Sequence, residues 1–143
     1  MATLVITDEF VNYVLTKKID CGADTFKVFL TNSTPTEAGT QVKGDLTPIT
    51  EQNGYTEWTP TTGFAETGAG TGTWRFNVGA DKTWTASGGS FGPFRYAVLY
   101  DDTPTTPADP IVGYVDYGSS VTVNTGETFT LDFDANFAAF TAS

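Results

Sequence analysis

Apolar positions along the chain follow one helical repeat and then a series of two-residue repeats. In "TDEFVNYVLTKKID", Phe10, Val11, Val14 and Leu15 recur at i, i+1, i+4 and i+5, the spacing of one helix face. Asp8 and Glu9 then fall in the first turn, and Lys17 and Lys18 in the last, where the backbone dipole favours each sign of charge. Thr7 is placed to cap the start and Gly22 to stop the helix. Beyond Gly22 the pattern predicts strands: "DTFKVFLTNS", "TWRFNV", "KTWTAS", "PFRYAVLY" and "IVGYVDYG". A closing hairpin of "SVTVN" and "ETFTLDFD" is predicted through Asn124-Thr125-Gly126. In its second arm Phe129, Leu131 and Phe133 alternate with Thr128, Thr130, Asp132 and Asp134, a half-buried strand pattern.

The intervening segments carry turn chemistry. "TPTEAGTQVKGDLTPIT" is broken too often by Pro and Gly to hold a long element. Asn53-Gly54 predicts a type I′ turn, with a hairpin or strand start at Tyr55 and Trp58. "TGFAETGAGTGT", residues 62–73, reads as a flexible Gly/Thr loop, either disordered or ordered by a partner. The expected fold is mainly β: an antiparallel β-sandwich, jelly-roll-like or immunoglobulin-like, with one N-terminal α-helix. One domain spans 1–143, with an arm and helix over 1–22 and a β body over 23–143.

The most apolar strand contains an arginine. By parity Phe94, Tyr96, Val98 and Tyr100 face one way, and Arg95, Ala97 and Leu99 the other. Both faces are largely apolar, so the strand belongs at the centre of a sheet. Arg95 then sits either at a rim or inside with a carboxylate, and Asp116 in "GYVDYG" is the best partner if the two strands pair antiparallel. The expected role is a structural ion pair, Arg95 with Asp116. Losing one partner of a buried pair costs about 3–5 kcal/mol, so Arg95→Ala is expected to destabilise the fold strongly.

Composition narrows the chemistry. Seven Lys and Arg face 17 Asp and Glu, a net charge of −10 that repels nucleic-acid backbones and anionic membranes. With 27 threonines and 15 glycines the chain favours pleated strands and tight reversals. There is no histidine, and Cys21 is the only cysteine, so neither an internal disulfide nor a thiolate metal cluster is expected. Asp132 with Asp134 suits a solvated strand edge better than a catalytic dyad. Asp101 and Asp102 lack the spaced loop of a calcium site. No catalytic residue, cofactor or metal is assigned, and no enzyme activity is expected. The N-terminus lacks the basic and apolar regions of an export signal, so synthesis and folding in the cytoplasm are expected. Trp58, Trp74 and Trp84 beside Tyr55, Phe64 and Phe76 suit a β core or subunit interface better than a sugar-binding face.

"SGGSFGPFRYAVLYDD", "IVGYVDYGSSVTV" and "GETFTLDFD", preceded by a helix, "ADTFKVFLTNSTP" and "NGY", resemble a group of small virion structural proteins of tailed bacteriophages. The resemblance implies a head decoration (cement) role, with a tail or neck component, including one that acts as a carbohydrate- or receptor-binding module, as the alternative. It also implies the major capsid protein and further copies of the chain, preferably as a trimer, as partners, with the virion surface as the location. It carries no catalytic residue. The apolar arm Thr3, Leu4, Val5 and Ile6 is a candidate partner-docking strand, and Trp58 and Phe64 are candidate contact residues.

Overall fold

A computed structural model describes residues 4–66, 70–79, 81–132 and 138–141. The elements are β1 (Val5–Ile6), α1 (Asp8–Leu15), β2 (Phe26–Thr31), a short 3₁₀ turn (Lys43–Asp45), β3 (Thr61–Glu66), β4 (Thr73–Gly79), β5 (Lys82–Thr85), β6 (Phe91–Asp101), β7 (Ile111–Val123), β8 (Thr128–Leu131) and β9 (Ala138–Thr141). All pairings are antiparallel. One wall is a four-stranded sheet, β1-β7-β6-β2, and the other comprises the β3-β4-β9 and β5-β8 sheets. The fold is an antiparallel β-sandwich with one N-terminal helix.

The principal core lies between these walls. Val28, Leu30, Ala97, Leu99 and Val112 meet Phe76 and Val78 of β4, Trp84 of β5, and Phe129 and Leu131 of β8. Phe10 and Tyr13 of α1 join the same cluster. On the opposite face of the four-stranded sheet, Phe29, Tyr96, Val98, Tyr100 and Ile111 form a second core closed by Leu46. Strand β6 is therefore central and buried on both sides, as its two apolar faces require.

Simple parity nevertheless fails along β6. Phe94 packs with Ala97 and Leu99 in the principal core, not with Tyr96. The cause is the pairing with β7. Between Tyr96↔Asp116 and Phe94↔Val121, β6 advances two residues and β7 five. Such a bulge re-aims the side chains around it. Arg95 sits at this irregularity and points outward.

The helix is also shorter than expected. Leu15 is its last residue, and Lys17 takes a left-handed conformation with φ 61°. Lys18 N–H donates to Tyr13 O at 2.8 Å and Lys17 N–H to Val14 O at 3.2 Å, the paired bonds of a Schellman stop. Both lysines thus follow the helix, and Gly22 does not terminate it. The buried stripe is Phe10 and Tyr13, with Val14 packed at its edge, whereas Val11 and Leu15 face water. Thr7 occupies the cap position, but its hydroxyl donates to Ile111 O at 2.9 Å, pinning the helix start to β7.

Three other expectations change. Residues 62–73 are not a loop throughout: β3 pairs with β4 from Thr61↔Gly79 to Glu66↔Trp74. β8 pairs with β5, not with the end of β7, so the turn through Gly126 carries the chain between sheets. Asn53 and Gly54 have φ 52° and 92°, as a type I′ turn demands, and Tyr55 N–H closes it on Gln52 O at 2.9 Å. That turn joins no two strands; Trp58 beyond it makes an isolated bridge to Val28. The alternation in β8 holds through Phe129 and Leu131, while Phe133 and Asp134 lie outside the described residues.

β1 lies so close to β7 that a Cβ on Gly113 would come within 2.6 Å of Val5 O. Gly113→Ala should therefore displace the arm at a cost of about 1–3 kcal/mol. Hydrogen exchange at residues 5–7 should accelerate more than exchange in β2 or β6.

Candidate functional site

Arg95 and Asp116 meet in a bidentate pair, Nε to Oδ1 at 2.8 Å and Nη2 to Oδ2 at 3.0 Å. Antiparallel pairing of β6 with β7 brings them together. The pair is not buried, since the two side chains remain 40% and 38% exposed. The bulge turns Arg95 into solvent, and its guanidinium lies over the Tyr96 ring. Arg95 and the Gly118 N–H together hold the Asp116 carboxyl below its ordinary range. The geometry is that of a surface clasp across the bulge.

A second polar cluster lies beside the second core. Glu57 receives Lys43 Nζ on one oxygen and the Tyr100 hydroxyl at 2.8 Å on the other. Lys43 Nζ also lies 4.7 Å from the centre of the Tyr100 ring. Burial first, and then the Glu57 carboxylate, push the Tyr100 phenol upward in pKa. Every polar group of this triad has a partner, so it clamps the 3₁₀ turn and the Glu57 segment onto β6.

The aromatic set divides. Tyr55, Phe76 and Trp84 are buried in the principal core, and Trp84 Nε1–H donates to Thr56 O at 2.8 Å. Trp58 is half-buried against that core. The six rings therefore present no common sugar-binding face. Phe64 and Trp74 instead stack across the β3–β4 hairpin with centroids 5.5 Å apart, and both stay about 40% exposed. Phe64 also lines a groove of about 500 Å³ with Val14, Ile19, Cys21 and Gly22. The hairpin and the end of α1 thus border one surface. Among the described residues, the exposed large apolar side chains are Val11, Leu15, Phe64, Trp74 and Tyr117, and all but Tyr117 belong to α1 or this hairpin.

The arm behaves differently from its expected role. Val5 and Ile6 do form an added strand, but the sheet they extend is the chain's own, opposite Tyr114 and Gly113. Leu4 is 9% exposed and belongs to the principal core, whereas Thr3 lies outside the described residues. Leu4, Val5 and Ile6 are thereby committed within the chain.

Of the acidic pairs, Asp101 is fully buried while Asp102 binds Lys27 at 2.9 Å on the surface. Asp132 is exposed and Asp134 lies outside the described residues. Among the described residues no three His, Cys, Asp or Glu side chains are arranged to hold a metal ion. No described helix is long and apolar enough to cross a membrane. No protein-family model, curated protein or solved structure matches the chain.

The stacked hairpin pair was difficult to place from sequence because Phe64 lies in a Gly/Thr-rich run; Trp74, ten positions further on, reaches it diagonally only once β3 and β4 pair, with Phe64 opposite Phe76 and Trp74 opposite Glu66. Arg95→Ala should melt with the wild type, because exposed pairs contribute little. Glu57→Ala should instead lose about 2–3 kcal/mol by leaving Lys43 and the Tyr100 hydroxyl without their acceptor. Paired thermal and urea melts check both outcomes.

Proposed function

We propose that this chain is a virion structural protein of a tailed bacteriophage, a head decoration (cement) protein. It binds the outer face of the major capsid lattice, bridges neighbouring capsid subunits and stabilises the head. Copies gather as trimers at local three-fold positions after synthesis in the host cytoplasm. The sequence resemblance supports this reading, and one structural observation carries it: the exposed large apolar side chains concentrate on α1 and the β3–β4 hairpin, where Phe64 and Trp74 stack. Rigid aromatic anchors of this kind dominate protein–protein contacts. A lattice repeats one such contact many times, so a modest interface suffices to reinforce a shell.

A second reading, a tail or neck component that binds a carbohydrate or receptor, has a different feature in its favour. Asn32, Ser33, Thr47, Thr50 and Gln52 line a polar groove beside Pro48 and Pro93. Binding to a glycan array, but not to capsids, would select it.

Phe64→Ser with Trp74→Ser should leave the chain folded with only a modest loss of melting temperature, since both side chains are already about 40% exposed. Lattice affinity should fall by about 2–4 kcal/mol, the loss typical of removed interface anchors. Occupancy on undecorated phage heads measures this, and full occupancy by the double variant would overturn the reading.

A further inference from the structure

Asp101 ends β6 with its side chain wholly removed from solvent. Thr103 N–H donates to Oδ1 at 3.0 Å, while Oδ2 has no donor from any nitrogen or hydroxyl. A second carboxyl lies beside this end of β6: Asp102 N–H donates to Thr25 O at 2.9 Å, which sets Asp24 next to Asp101, close enough for the two carboxyl groups to interact. Asp24 belongs to a tight turn: Asp20 N–H donates to Asp24 Oδ2 at 2.8 Å, and Gly22 N–H donates to Asp20 Oδ1 at 2.9 Å. Two carboxylates in such contact repel unless something positive lies between them. Lys27, the cation on β2, is already held by Asp102. Cys21 and Asp20, the other titratable residues of the 20–24 turn, supply no positive charge.

We propose that Asp101 and Asp24 form a proton-operated latch: one shared proton ties the 20–24 turn to the end of β6, and its loss in alkali releases the turn and reshapes the groove beside Phe64. Asp101 carries the proton as the acid, because it is the buried member. Asp24 accepts the hydrogen bond through its carboxyl group, which the Asp20 N–H holds in place. On release the proton passes to water, leaving two carboxylates at the contact. Asp20, Cys21 and Gly22 all line the groove, so movement of the turn changes its wall.

The direction of the pH effect follows from where Asp101 titrates. Burial, and then the Asp24 carboxyl, push its pKa up to about 8. An unfolded aspartate titrates near ~3.9. Between these values the folded chain keeps a proton that the unfolded chain has lost, so stability falls as pH rises through this window and levels off above it. The latch does not depend on what occupies the groove.

Cys21 reports on the latch. It is 7% exposed, and burial first, then Asp101, raise its thiol to about 11. Thiol labelling of the full chain, normalised at each pH to the urea-unfolded chain, measures protection independently of thiolate chemistry. Between about pH 5.5 and 8.5, wild-type protection should drop about 10–100-fold. Asp101→Asn should stay flat over the same range, because its amide donates to Asp24 without titrating. Asp24→Asn provides the same test should Asp101→Asn fail to fold. Parallel loss of protection in wild type and variant would overturn the latch. So would restoration of alkaline protection by Ca²⁺ and its reversal by a chelator, which would place a cation between the carboxylates instead of a proton.

Discussion

Strand β6 delivers Phe91, Phe94, Ala97 and Leu99 to one core and Tyr96, Val98 and Tyr100 to another, so both its faces must be covered at once. Each fully buried aliphatic or aromatic side chain contributes about 1.5–3 kcal/mol, and a strand with two such faces cannot rest at a surface. The β3-β4-β9 and β5-β8 sheets, with α1, cover one side. The irregular segment through the 3₁₀ turn covers the other, where regular structure is absent and Lys43, Glu57 and Tyr100 supply the fastening. Polar tips on the buried rings are satisfied in the same way. Tyr55 accepts the Leu30 N–H at 2.8 Å through its hydroxyl, and Trp84 donates to Thr56 O. These bonds hold the Gln52–Thr56 segment against the β2 end of the sandwich.

Coverage on both faces was legible because the run from Phe94 to Tyr100 has no polar face. The orientation of individual side chains was not. A strand's parity persists only while its pairing register persists, and five residues of β7 opposing two of β6 break it at Arg95. The same break explains why a correctly matched charge pair lies in water. In α1 the Phe10–Tyr13–Val14 stripe competes with the Phe10–Val11–Val14–Leu15 stripe on nearly equal terms. Eight residues bury only a narrow band, and the surrounding sheet selects which. Strand β3 was hidden by Gly63 and the Gly/Thr-rich run it belongs to, since it becomes a strand through pairing with β4 and not through its own propensity. The β5–β8 pairing joins segments more than forty residues apart, and nothing local announces it.

The candidate surface was half legible. Phe64 stands out as a ring within a polar run. Trp74, by contrast, matches Trp84 in strand context, although one is exposed and the other buried. Trp74 shares its strand face with the buried Phe76 and Val78, and alternation does not say how far along that face the covering layer extends. Leu4, Val5 and Ile6 illustrate the same ambiguity: their composition suits an added strand, while the identity of the sheet depends on where β7 presents its edge and on Gly113 allowing close approach.

Charge limits how the exposed apolar surface can be used. Of seven cationic side chains, Lys27, Lys43 and Arg95 are tied to carboxylates, and Lys18 and Lys82 lie over the Tyr13 and Trp84 rings. The field beyond the surface is consequently set by the carboxylate excess. Two free copies approaching each other meet repulsion that extends over a Debye length, about 8 Å at physiological salt. A contact through Phe64 and Trp74 must outweigh that repulsion when the partner is another copy, whereas a partner presenting neutral or basic groups adds attraction to the same aromatic contact. On the proposed reading, trimers therefore assemble on the lattice, where each copy is already held in place, and the chain remains dispersed before it arrives.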